Sequence, residues 1–345
     1  MRTRIFAALL PAMAISASAQ VPTQAPAPTQ APAPAPTAFQ AHALLVEKDG
    51  AFKQIWLLAA TKDAIRYRTT EVAIDAVDGK IADFGSVYVL EPREYAAAMD
   101  LYQARKYTEA KAKFIAVKER YKPLQQMENS HAALATFYEI ECLRKLGDLE
   151  GVSAALQKFI KEPLTRESQL RQFEVYVFWD AVRTKSWDRL DILAKERANA
   201  RLPGDQRAQI AYCHGLALEG LNRPADALFA YATAMTADSG ASEEIARQAT
   251  LRVLAIHKAD PEVQNAIKVW GTDDENKNGK GYTNLIEAAA VAALFELSLG
   301  AGTPLPAIYK TFLKYKADPD REAKLETKDE PKEAPKGEAE PKAEG

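Results

Sequence analysis

Two hydrophobic periodicities divide the chain. Between residues 41 and 92, short runs rich in Val, Ile, Tyr and Trp alternate with polar residues, the period-two pattern of half-buried strands. Asp49-Gly50 and Asp78-Gly79 punctuate these runs, and Gly accepts the positive φ that a tight hairpin needs. Strands are expected near Ala43–Glu47, Lys53–Ala59, Ala64–Arg68, Val72–Ile74 and Ser86–Leu90. Five such short strands cannot make two stacked sheets of useful size, so a small, strongly twisted antiparallel barrel is expected.

From Arg93 to about Lys316 the period changes to 3.6 and the segments come in pairs. The stretch AYCHGLALEGLNRPADALFAYATAM (211–235) shows the unit best. Gly215 stands where one helix would meet its partner closely, and after the turn LNRPAD come Ala227, Tyr231 and Ala234 on one face of the second helix. Pro224 opens that helix acceptably, because a first-turn residue does not need its N–H. The second-helix positions Ala110, Val152, Leu190 and Ala227 lie 42, 38 and 37 residues apart. Two more hairpins are expected, ASEEIARQATLRVLAIHKADPEVQNAIKVWG and GYTNLIEAAAVAALFELSLGAG with TPLPAIYKTFLKY, the last capping the array. The competing architecture is a non-repetitive helical bundle.

The 211–235 unit resembles the tetratricopeptide repeat, whose pattern has a small residue, an aromatic or Leu three on, then Ala-x3-aromatic-x2-Ala. Ala98, Leu101, Tyr107, Ala110, Phe114 and Val117 fill the same places in an earlier unit, while the units around Val152 and Leu190 depart from the pattern. The resemblance covers roughly half the chain, and implies a mainly α fold: a tetratricopeptide-like α-α superhelix preceded by a barrel-like β module similar to Src-homology-3 domains. In that family the first helix of each hairpin lines a concave groove. Carried over by register, the groove positions are Tyr95, Tyr102, Phe137, Glu141, Arg144, Gln172, Trp179, Arg183, Gln209, Tyr212 and Glu219. Aromatic rings beside Arg and Gln suit a protein or peptide partner, another copy of the chain included. Trp179 fits a core position equally well.

The ends read differently. MRTRIFAALLPAMAISASAQ has the basic start, short apolar run and Ala17-Ser18-Ala19 of a secretory signal, so residues 1–19 are expected to be removed and the protein exported, to a periplasm or beyond the cell. Residues 20–39 alternate Ala and Pro, an extended spacer or a ligand for a proline-reading domain. Residues 317–345 are charged, Pro-punctuated and without aromatics, and are expected to be disordered. The domains are thus 1–19, 20–39, a β module over 40–92, a helical array over 93–316, and the tail.

Charge is nearly balanced at −2, which advertises no basic face for nucleic acid, and Glu287 and Glu296 argue against a membrane span in the Ala-rich run. Cys142 and Cys213 sit in helical patterns and are expected to be buried thiols. His42, His131, His214 and His257 have no second ligand at helical spacing, so no metal or cofactor is expected, and no nucleophile motif or phosphate loop is present. Asp274-Glu275-Asn276-Lys277-Asn278-Gly279 resembles the opening of an EF-hand calcium loop, but Leu285 stands at the place of the bidentate Glu and Gly281 at that of the branched apolar residue. A polar turn between hairpins explains the same residues. The expectation is a non-enzymatic interaction or scaffold protein; the alternative is a cell-envelope enzyme or carbohydrate-binding protein whose site forms only in the fold.

Overall fold

A computed structural model describes residues 39–315 apart from Asn199, Ser239, Ala241 and Ala301. The expected signal segment, the spacer up to residue 38 and the tail lie outside the described residues. Five strands come first: β1 (Ala41–Val46), β2 (Phe52–Ala60), β3 (Ala64–Arg68), β4 (Val77–Lys80) and β5 (Ser86–Val89). They form one antiparallel sheet in the order β4-β3-β2-β1-β5, which does not close into a barrel. The expectation of closure fails because other elements cover the sheet. Leu45, Ile55, Leu57 and Ile65 on its inner face share one core with Tyr95, Phe114, Tyr121 and Leu124 of the helical region.

The fourth strand also differs from expectation. Val72 and Ile74 lie outside any strand and are exposed. The strand instead contains Asp78-Gly79, paired with Arg66 and Ile65. Gly79 serves close approach rather than a turn, since a Cβ there would lie 3.0 Å from the Phe84 ring. Gly50, by contrast, has φ +88° and turns the β1–β2 hairpin as expected.

Eleven α-helices follow among the described residues: α1 (Arg93–Gln103), α2 (Tyr107–Arg120), α3 (His131–Lys145), α4 (Leu149–Leu156), α5 (Glu167–Arg183), α6 (Trp187–Arg197), α7 (Gly204–Gly220), α8 (Pro224–Ala237), α9 (Glu243–Ala259), α10 (Pro261–Val269) and α11 (Lys280–Leu294). The first eight make four hairpins with the same turn. Its middle residue, Arg105, Gly147, Lys185 or Asn222, has φ between +54° and +76°. The next residue's N–H donates five residues back each time, to the carbonyls of Leu101, Leu143, Ala181 and Leu218. These turns repeat at the spacing of the second-helix positions, and Ala110, Val152, Leu190 and Ala227 are all buried. A fixed left-handed turn followed by a buried small or branched residue therefore defines the repeat.

Hairpins stack in chain order, and the core follows them in three successive clusters: sheet with α1–α3, then α3–α9, then α9–α11. This is an α-α solenoid rather than a bundle around one centre. The fifth pair, α9 and α10, is joined through Asp260, whose carboxylate accepts the Glu262 N–H at 2.9 Å. After α11 a π-helical turn (Phe295–Leu299) and a 3-10 helix (Lys310–Lys314) close the last core through Phe295 and Phe312, with Leu305 from the segment between them. The segment Lys280–Leu299 is long and apolar enough to cross a membrane by composition, and about a third of it is buried in the protein. Leu285, at the twelfth place of the calcium-like loop, is fully buried in that core.

Candidate functional site

The first helices of the hairpins, α1, α3, α5, α7 and α9, converge on the inner side of the solenoid. At their meeting point lies a cup of about 290 Å³. Tyr102 comes from α1, and Phe137, Tyr138, Glu141, Arg144 and Lys145 from α3. Ser168, Gln169 and Gln172 come from the first turns of α5, Asp205 and Gln209 from those of α7, and Ser242 precedes α9. Six residues placed on the groove by sequence register (Tyr102, Phe137, Glu141, Arg144, Gln172 and Gln209) thus meet in one lining.

The charges of the cup are paired within the protein. Arg144 forks onto Glu141, with Nε to Oε1 at 3.1 Å and Nη2 to Oε2 at 2.9 Å, and Tyr176 donates its hydroxyl to Glu141 Oε1 at 2.7 Å. Burial alone would raise the Glu141 carboxyl, but the Arg144 charge and hydrogen bonds outweigh it and hold the group below its ordinary range. Glu244, near the start of α9, accepts from Lys145 Nζ at 2.7 Å and Arg144 Nη2 at 3.3 Å. Arg105, in the α1–α2 turn, pairs with the neighbouring Glu243. These contacts span about a hundred residues of sequence and stitch the start of α9 to α3 across the inner face.

Amides complete the wall. Gln172 and Gln209 exchange both possible bonds, at 2.9 and 3.2 Å, and Trp179 Nε1 donates to Gln209 Oε1 at 2.9 Å. Trp179 is buried, as the core alternative required, with Tyr212 at 6.0 Å and the Arg144 guanidinium 5.8 Å from its ring centre. Asp205 sits at the start of α7 with its carboxyl raised, chiefly by burial and against the stabilising Gln206 N–H.

The other register-placed residues lie elsewhere. Tyr95 is buried against Phe114 and His131. Tyr212 packs between Trp179 and Tyr231. Arg183 pairs with Asp180 and Glu150 at the far end of α5. Glu219 is forked by Arg252 at 2.8 and 2.6 Å and accepts the Tyr231 hydroxyl. It borders a groove of about 820 Å³ reaching from α8 and α9 to α11, whose lining includes Leu228, Phe229, Ala255 and Ile256 beside Arg252, Asn284 and Glu287. Eight of the eleven, all but Tyr102, Arg183 and Glu219, are buried. The inner face is therefore a filled wall with a cup, not a continuous open trough.

Register reasoning missed Tyr138, Lys145, Ser168, Gln169, Asp205 and Ser242. One signal was present: Gln169 and Gln172 recur as Gln206 and Gln209, the same spacing displaced by 37 residues. Both cysteines are free and buried. Among the described residues no group of three or more His, Cys, Asp or Glu is placed to hold a metal. His214 shares a 2.8 Å bond with Asp191 away from the cup lining, where Lys195 and Arg223 also pair with Asp191.

The fold and the site define a helical-hairpin solenoid with a β module at its start and a polar cup on its inner face. Comparison with protein-family models, with curated proteins and with solved structures finds no match to this chain.

Proposed function

We propose that this chain is an exported, non-enzymatic interaction protein whose tetratricopeptide-like array holds a protein partner at the cup of its concave face. The observation that carries the reading is the convergence of polar and aromatic side chains from α1, α3, α5 and α7 on one inward opening. Recognition sites combine aromatic area with a few placed polar groups in this way. The saturation of Glu141 by Arg144 and Tyr176 supports a binding role over a catalytic one, because an engaged carboxylate is a poor nucleophile or base. Export rests on the N-terminal sequence alone.

Arg144 and Tyr212 are buried, so truncating them would test the fold rather than the site. A photo-crosslinking residue at Ser168, which is exposed at the cup, avoids that difficulty. A matching probe at Ile192 on α6, also exposed, is the control. In the exported fraction of intact cells, the Ser168 probe should capture one protein reproducibly and the Ile192 probe should not. Equal capture from both sites, or none from Ser168, would refute the reading.

A further inference from the structure

The inner wall carries four glutamines in two matched pairs, Gln169 with Gln172 on α5 and Gln206 with Gln209 on α7. All four are at least 95 % buried. One rung, Gln172–Gln209, is closed by two reciprocal amide bonds. The other is open. Gln169 is 5 % exposed and lines the cup, yet neither its Oε1 nor its Nε2 has a hydrogen-bond partner in the protein. Its amide lies near enough to the Tyr138 hydroxyl to influence it, without adequate hydrogen-bond geometry. Gln206 donates Nε2 to the Ser168 carbonyl at 3.1 Å and keeps Oε1 unpartnered. Arg144, also lining the cup, keeps Nη1 unpartnered.

Buried polar atoms without partners are costly and infrequent, so the Gln169 amide and Arg144 Nη1, both on residues lining the cup, call for a ligand that supplies the missing bonds. The chemistry of that ligand follows from what is left over. Both cations of the lining, Arg144 and Lys145, are already balanced by Glu141 and Glu244, and Asp205 is engaged at the start of α7. A carboxylate would find no free counter-charge, and an ammonium would find only Asp205, whose carboxyl is already shifted by burial toward its neutral form. The unmet set is an acceptor and a donor on one planar group, with a further donor on the guanidinium. A carboxamide presents the complementary acceptor and donor in one plane, as Gln172 and Gln209 present them to each other.

We infer that the cup is a subsite for a neutral carboxamide side chain, Asn or Gln, of the bound partner, with Gln169 as its principal hydrogen-bonding residue. This rests on the inner-face reading given above, and it fixes the partner's chemistry at one position. The test uses the folded protein with glutamine side chains labelled with 15N. Four probes are titrated: N-acetylglutamine methylamide, its glutamate and lysine counterparts, and glucose.

The glutamine probe should saturate at about millimolar concentration and shift the Gln169 side-chain signal, with the other three at least about tenfold weaker. Gln169→Leu should remove that binding. The same substitution should leave the unfolding midpoint unchanged or raised, whereas Gln172→Leu should lower it. Preference for glutamate, lysine or glucose would overturn the inference, as would equal response to all amino-acid probes or no saturable response. So would a loss of stability in Gln169→Leu matching that in Gln172→Leu, since Gln169 would then be a structural group. Crosslinked capture at Ser168 without a glutamine preference removes this inference alone. Glutamine binding without capture removes the function and leaves the subsite.

Discussion

Gly215 offers the sharpest test of how the hairpins close. It lies in α7, and a Cβ built there would come within 2.7 Å of Tyr231 Cδ1 and Cζ, and nearer still to Cε1. The ring cannot easily yield. Tyr231 is fully buried, its hydroxyl is held by Glu219, and Glu219 is held by both arms of Arg252. Gly215→Ala therefore sets two terms against each other. Helix propensity favours Ala by about 0.5–1 kcal/mol. Overpacking of a filled interface costs about 1–3 kcal/mol. The second term should win, leaving the variant less stable by about 1–2 kcal/mol. Urea unfolding followed by circular dichroism measures this, with midpoints compared because an array of repeats need not unfold in two states. Adding Tyr231→Leu should recover at least about 0.5 kcal/mol relative to the sum of the single changes. A Gly215→Ala midpoint above that of the wild type would show that propensity rules the site, and the close-packing argument would be wrong.

Three further perturbations address the inner face and the first hairpins. Glu244→Gln leaves the buried Lys145 without its carboxylate and Arg144 with only Glu141, so it should destabilise by about 3 kcal/mol. Arg105→Ala removes a partner that is half exposed and should cost no more than about 0.5 kcal/mol; equal losses in urea unfolding would contradict the difference in burial. His131 lies between Tyr95 and Tyr121, and burial lowers its pKa from 6.5 to about 4. The unfolded chain therefore takes up the proton first. Stability from this group is complete above pH 6.5 and is lost as pH falls toward 4, on the order of 3 kcal/mol in all. His131→Phe should flatten that part of the stability profile, and identical slopes in both proteins would refute the assignment.

The array was legible in the sequence because its repeat is written locally. The residues that turn each hairpin and the buried residue that follows keep a fixed separation, so uneven spacings of 42, 38 and 37 residues still mark equivalent positions. Strand β4 was not legible, because Asp78-Gly79 has the composition of a turn while Gly79 acts by admitting the Phe84 ring. Barrel closure failed for a different reason. Strand count and length do not reveal which surface covers a sheet, and here helices and the Tyr121–Leu124 segment do so. At the site, register identified helix faces but not burial. Burial depends on the curvature that returns Glu243 and Glu244 to Arg105, Arg144 and Lys145, a long-range consequence with no local signature.

That curvature also gives the β module a role. A solenoid exposes an apolar face at each end, and each end needs a cover. At the first end the sheet lays Ala43, Leu45, Ile55 and Leu57 against the core containing Tyr95, Phe114 and Leu124. At the other, α11 with its π-helical turn and the 3-10 helix encloses Leu254, Val263 and Leu285. An open sheet suits this work better than a closed barrel, since closure would bury its inner face on itself and leave α1 and α2 uncovered. With both ends covered and α9 tied across to α3, the inner wall is held in one arrangement, and the cup with its open glutamine rung is presented already formed. Preformed polar groups save a partner the ordering that a flexible groove would require.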